Sequence, residues 1–365
     1  VTYAAESTST RRSLTRAWID VEGTHRAARN ARRNPGIDFV KHRQAILLAA
    51  TVAWSAAASL SHAAVDTDAL LSEAAAALDI DLAAEHERII SGEMITAVGG
   101  ELEIDEAQLG AAQLMYLPVS LDAVSERLGR VAKFHRNAVE AQKLIDANDA
   151  VNIVTLDEQK AKRLREAEPG DPLNFSGPEF QQLRTSDDVA DTLNDILTAR
   201  YRAYRRRGLN GIEPYLRDND EVFNVSVVLQ ESIHEGDITD KYFHEFRAAA
   251  LHYPTAGTDL SHRFFAVERE MDDRPQYLLT HWIIDRADNY VLVLQRQFYV
   301  NHTYQTLQII FVCAPYHEGV VMIMLNQTFT EKVEGFGSGI AHEIGRERLA
   351  ETIAETFEDI KASLL

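Results

Sequence analysis

The chain has 365 residues, 45% of them hydrophobic, and a formal net charge of −19 at pH 7. That acidic balance argues against nucleic-acid binding, which needs clustered Lys and Arg to neutralise phosphate, and against a purely electrostatic hold on anionic lipid. Cys313 is the only cysteine, so no internal disulfide can form and stability must come from packing.

Residues 1–39 are rich in arginine, including Arg11, Arg12, Arg26, Arg32 and Arg33, and show no steady apolar period. Residues 40–63 have the three zones of a secretory signal peptide. Lys41, His42 and Arg43 are a basic start, sixteen uncharged residues run from Ala45 to Leu60, and Ser61 and Ala63 form a small-residue exit. A membrane span is the rival reading, but spanning takes ~20 strongly apolar residues and this run is rich in Ala and Ser. No Met precedes Met94, and a start at Val40 through an alternative codon gives a signal of ordinary length. On that reading residues 1–39 are translated in error or form a disordered leader, and the protein is periplasmic or secreted. Without residues 1–63, Lys and Arg fall from 37 to 28 and Asp and Glu from 56 to 52, a formal charge of about −24.

The region after the exit reads as helix, with Ala69, Leu70, Ala74, Ala77, Leu78 and Leu82 at helical spacing. Strands are predicted over 94–98 and 108–117. Pro118 ends the second, and Ser120 caps a short helix over 121–128. A polar, largely helical stretch follows from about 133 to 252. Within it, 157–168 is a solvated charged segment, and 187–207 is a helix closed by Gly208. Its cationic end, Arg200 to Arg207, fits an anion site or the helix dipole alone. Residues 222–233 are β-branched and read as strand, and 240–251 as helix. Five long β-type segments then follow, 263–270, 276–286, 290–302, 304–314 and 320–333, joined by short turns into an antiparallel meander. Gly335 and Gly337 turn the chain into a final helix over 339–364, ~39 Å long, with Ile340, Ile344, Leu349, Ile353, Phe357, Ile360 and Leu364 near one stripe. The fold class is α+β, an antiparallel meander wrapped around a long C-terminal helix, with a helical insertion.

This order resembles the START-like superfamily of helix-grip proteins, which includes lipid-transfer domains and polyketide cyclases. The features that carry the resemblance are the strand Gly110 to Leu117 running into Pro118, Val119, Ser120, Leu121 and Asp122, the meander, the Gly335-Phe336-Gly337-Ser338-Gly339 turn and the last helix. It implies a single domain over 64–365 that encloses a hydrophobic molecule between sheet and helix. The insertion over 133–252 is longer than the fold needs, and reads as a lid or a separate helical domain. Segments 205–215 and 296–305 also resemble uncharacterised exported bacterial proteins.

No complete catalytic motif occurs. His342 and Glu343 lack the second His of HExxH, and Ser338 stands one position late for a nucleophile elbow, where an N-cap explains it. No metal, cofactor or catalytic residue is therefore assigned. Cys313 lies in an apolar run and reads as a buried packing residue. Period two divides the segment from Val291 into a face with Leu292, Leu294, Arg296, Phe298, Val300 and His302, and another with Val293, Gln295, Gln297, Tyr299 and Asn301. The first face is mainly apolar, so Arg296 and His302 need partners: Glu268 in a salt bridge, or the head group of a ligand. Arg296, His302, Tyr304, Asn326 and Thr328 are the candidate ligand-binding residues. Three functions remain open: carriage of a hydrophobic or lipid-like molecule, an enzyme on such a molecule with His302 or His281 moving the proton, and a protein-interaction module of the envelope.

Overall fold

The computed structural model of the protein describes residues 65–78, 80–98, 107–130, 139–146, 148–233, 238–271, 273–333 and 338–364. The leader, the signal segment and the Gly335–Gly337 turn lie outside them.

The first described elements are α1 (Thr67–Ala76) and α2 (His86–Ile90), then β1 (Ile95–Val98), β2 (Gln108–Leu117) and α3 (Leu121–Arg130). The Asp66 side chain accepts from Ala69 N at 3.1 Å to cap α1, and Ser120 Oγ accepts from Ala123 N at 3.2 Å to cap α3. Next come β3 (Val139–Leu144), α4 (Glu158–Arg165), α5 (Gly177–Arg184), α6 (Val189–Arg207), the paired short strands β4 (Tyr215–Leu216) and β5 (Val222–Phe223), and α7 (Val225–Glu231), α8 (Ile238–Tyr242) and α9 (His244–His252). The meander is β6 (Ser261–Met271), β7 (Arg274–Ala287), β8 (Tyr290–Val300), β9 (Thr306–Tyr316) and β10 (Gly319–Phe329), and α10 (Ser338–Leu364) closes the chain.

All pairings in the main sheet are antiparallel, in the order β1-β2-β10-β9-β8-β7-β6-β3. The expected architecture is present: an α+β fold with a long helix gripped against one face of a meander. α10 lies on β2 and β1, and α3 on β8 and β9. Ile353, Phe357 and Ile360 of α10 are buried against Ala111, Met115, Phe311 and Met322. Each such side chain contributes about 1.5–3 kcal/mol on burial.

The other face of the sheet is covered too. α1, α8 and α9 pack on Leu292, Leu294, Val312 and Ile323. α4 to α7 pack on Phe264, Ala266, Tyr277, Leu279 and Phe298. The insertion is thus a layer against the sheet, and β3 within it pairs with β6 as an edge strand.

Several local expectations change. The β-branched run after Val222 is helix from Val225, because Asn224 Oδ1 accepts from Ser226 N at 3.2 Å and starts a turn that strand propensity alone does not foresee. Residues 240–251 form two helices, broken between Tyr242 and His244. The charged segment after Asp157 is solvated as expected, a helix with no buried residue that starts where Asp157 Oδ1 accepts from Lys160 N at 2.8 Å. Gly208 does close α6 with φ of +55°, and a Cβ there would meet the Tyr253 carbonyl oxygen at 1.8 Å. The apolar stripe of α10 is shorter than expected: Ile344 is 47% exposed, and none of Ala341 to Ala350 is buried.

Candidate functional site

Strand β8 sets the position of the candidate residues, and a bulge in it divides them. Leu279 pairs with Tyr299 and Thr280 with Gln297, so Phe298 is the extra residue. A bulge of this kind shifts the alternation of faces. Leu292, Leu294, Arg296 and Phe298 face the helices of the insertion, and Tyr299 joins them, whereas Val300 lies in the core beneath α10. Uninterrupted period two had placed Val300 with Arg296, and the bulge separates them.

Arg296 is therefore not between the sheet and α10. It is fully buried on the opposite face, donating to Gln308 Oε1 from Nε at 3.0 Å and from Nη2 at 2.8 Å, and from Nη1 to the Ala250 carbonyl oxygen at 2.8 Å. The expected salt bridge to Glu268 is absent. Ala250 belongs to the last turn of α9, whose unpaired carbonyls carry the negative end of the helix dipole, and these serve the guanidinium in place of a carboxylate.

A relay of rings, with Tyr204 and His281 buried and His262 half-buried, continues from that arginine. His262 donates from Nε2 to the Gly257 carbonyl at 2.8 Å, which leaves its Nδ1 to accept from His281 Nε2 at 3.0 Å. His281 Nδ1 then accepts from the Tyr204 hydroxyl at 3.0 Å, and Tyr204 accepts from Arg296 Nη1 at 3.4 Å. Both imidazoles are held below their ordinary pKa, chiefly by burial; the neighbouring His262, Arg296 and Arg205 charges add to this at His281. Burial raises the Tyr204 phenol, against Arg296. Sequence spacing gives no sign of this network, because its members come from α6, β6, β7 and β8.

Tyr304, Asn326 and Thr328 do come together, on the face beneath α10. Thr328 Oγ1 donates to Asn326 Oδ1 at 3.0 Å. Leu307 pairs with both Gln297 and Thr328, and Ile309 with both Gln295 and Asn326. Two adjacent rows across β8, β9 and β10 thus alternate polar and aliphatic side chains at cross-strand spacing. The Tyr304 hydroxyl donates to Gln297 Oε1 at 2.5 Å and accepts from Arg269 Nη2 at 2.6 Å. Burial raises its pKa, with Arg269 opposing, so it is a hydrogen-bond donor at neutral pH.

Leu307 and Ile309 stay partly exposed in the middle of these rows, where a closed core would bury them. In α10, no residue of Ala341 to Ala350 is fully buried, although Leu349 packs partly on the core. Along this stretch a Cβ at Gly345 would meet Leu109 Cδ1 at 2.8 Å, and Gln113 Nε2 donates to the Ala350 carbonyl oxygen at 3.2 Å. Leu307 and Ile309 thus form a partly exposed aliphatic strip among fixed polar groups.

His302 lies apart, after the end of β8. Nε2 donates to the Pro275 carbonyl at 3.0 Å and Nδ1 accepts from Thr303 Oγ1 at 2.6 Å. It is held there by the 173–174 segment, with Leu173 bridging to His302 and Asn174 N donating to Asn301 O at 2.9 Å. It therefore does not share a site with Tyr304, Asn326 and Thr328. Among the described residues no three His, Cys, Asp or Glu side chains group to hold a metal ion, and no helix is long and apolar enough to cross a membrane.

No family model and no curated protein matches the sequence. Among solved structures, the chain is similar to a STAR-related lipid transfer protein fragment from Xanthomonas axonopodis, at 8% identity and a TM-score of 0.34, over 74% of this chain and 93% of that one.

Proposed function

We propose that the protein binds a hydrophobic, lipid-like small molecule in the cleft between its sheet and α10, and that it does so as an exported carrier. The observation that carries the binding reading is the pair of rows Gln297-Leu307-Thr328 and Gln295-Ile309-Asn326, in which Leu307 and Ile309 stay partly exposed. Apolar floors with a few converging polar groups suit amphipathic ligands, the floor supplying affinity and the polar groups orientation. Tyr304, Asn326 and Thr328 would hold the polar end, and Leu307 and Ile309 the apolar body. Export is supported by the basic, apolar and small-residue zones of 40–63.

Native mass spectrometry of protein purified from its source without detergent tests the binding reading. A lipid-sized adduct that is lost in Ile309→Asp supports it. A protein that carries no adduct and takes up none from mixed lipid extract overturns it. Sequencing the N-terminus of protein recovered outside the cytoplasm tests export: a start near Ala64 supports it, and a product retaining Arg32 overturns it.

A further inference from the structure

A second pocket, of about 300 Å³, is built where α4 and the 169–174 loop meet the ends of β7 and β8. None of its lining comes from α10 or α3. Its apolar part is Leu156, Leu164, Leu173 and Pro275, all left partly exposed around the ring of buried Tyr277. His302 and Asn301 close one wall, each 2% exposed and fixed by the bonds to Pro275 and Tyr277.

The charge at this pocket runs against that of the protein. Lys160, Arg163 and Arg274 line it, with Asp157 and Asp273. Lys160 is 3.7 Å from Asp157, whose carboxylate also caps α4. Among the described residues, Arg163 and Arg274 make no ion pair and no side-chain hydrogen bond. Two uncommitted guanidinium groups on one pocket, in a chain with a formal charge of −19, are a local source of positive potential that a solvated surface does not require. Their planar, forked donors match carboxylate and phosphate oxygens.

We propose that this pocket binds an organic anion with an apolar body, its acid group taken by Arg163 and Arg274 and its body by Leu156, Leu164, Leu173 and Pro275. The site is separate from the cleft beneath α10, so the two stand or fall independently.

The test uses the full chain carrying Ile309→Asp, so that binding in the cleft beneath α10 does not enter the reading, and the fluorescence of anilinonaphthalene sulfonate, displaced by decanoate, by decanol or by inorganic phosphate. Arg163 and Arg274 lie on the surface, so Arg163→Gln, Arg274→Gln and the double variant keep the fold. Decanoate should displace the probe and decanol should not. Each substitution should weaken decanoate about tenfold, the loss of one charge-assisted contact. Added salt should weaken it further. Unchanged decanoate affinity in the double variant overturns the proposal, as does equal displacement by decanol. Displacement by phosphate as strong as by decanoate overturns its apolar half. The share of decanoate affinity lost with Arg163 and Arg274 should be the same with Ile309 intact, which separates this pocket from the cleft beneath α10.

Discussion

The guanidinium of Arg296 donates to the carbonyl oxygen of Ala250 at 2.8 Å, which joins the centre of the sheet to the last turn of α9. Gln308 is held in the same arrangement, and passes it on by donating from Nε2 to Ser232 Oγ at 3.1 Å. One side chain thus ties β8, β9 and two helical segments of the insertion.

Arg296→Ala should therefore be costly. It leaves the Gln308 and Ala250 oxygens short of donors and opens a void among buried groups, a loss of about 3–4 kcal/mol. Urea unfolding monitored by far-ultraviolet circular dichroism reads it, and an unchanged midpoint would show that the guanidinium does not hold the layers together.

The His262 and His281 relay gives stability a pH dependence. Both rings are neutral in the fold, with pKa values below the ordinary 6.5. The unfolded chain therefore binds protons that the folded chain refuses as pH drops past about 6.5. The contribution is complete above that pH and declines below it. The urea midpoint should fall between pH 7.5 and 5.5, and the slope should flatten in the His262→Asn, His281→Gln double variant. Parallel slopes would remove the relay as the cause.

Cys313 has no exposed surface, and burial pushes its thiol far up. A maleimide should leave the native protein unlabelled over hours and react fully once urea unfolds it. Rapid labelling under native conditions would mean that the core around β9 opens.

The meander and last helix were readable because long β-branched runs, the two-residue Asp288-Asn289 turn and the stripe of Ile353, Phe357 and Ile360 are local signals. So was the Ser120 cap. The strand at Val139–Leu144 was not, because its sequence, Val-Glu-Ala-Gln-Lys-Leu, suits an edge whose pairing with β6 comes from 120 or so residues away. Nor was the β8 bulge, since no glycine or proline marks Phe298. It coincides with a tertiary contact, the Phe298 ring stacking on Tyr204 of α6 with centroids 3.9 Å apart. That one extra residue is why Val300 lies beneath α10 while Arg296 faces the insertion. The basic end of α6 divides likewise: buried Arg200 forks onto Glu179 at 2.6 and 2.7 Å, and Arg205 lies over the Phe264 ring. Sequence alone left these roles open.

Helices on both sides of the sheet give the molecule two unlike halves. The insertion side is wired through Arg296, Tyr204 and the histidines, and it tolerates little rearrangement. The α10 side is held mainly by apolar packing of Leu349, Ile353, Phe357 and Ile360. Hydrogen-bonded bracing and apolar packing are thereby weighted toward opposite surfaces of one sheet.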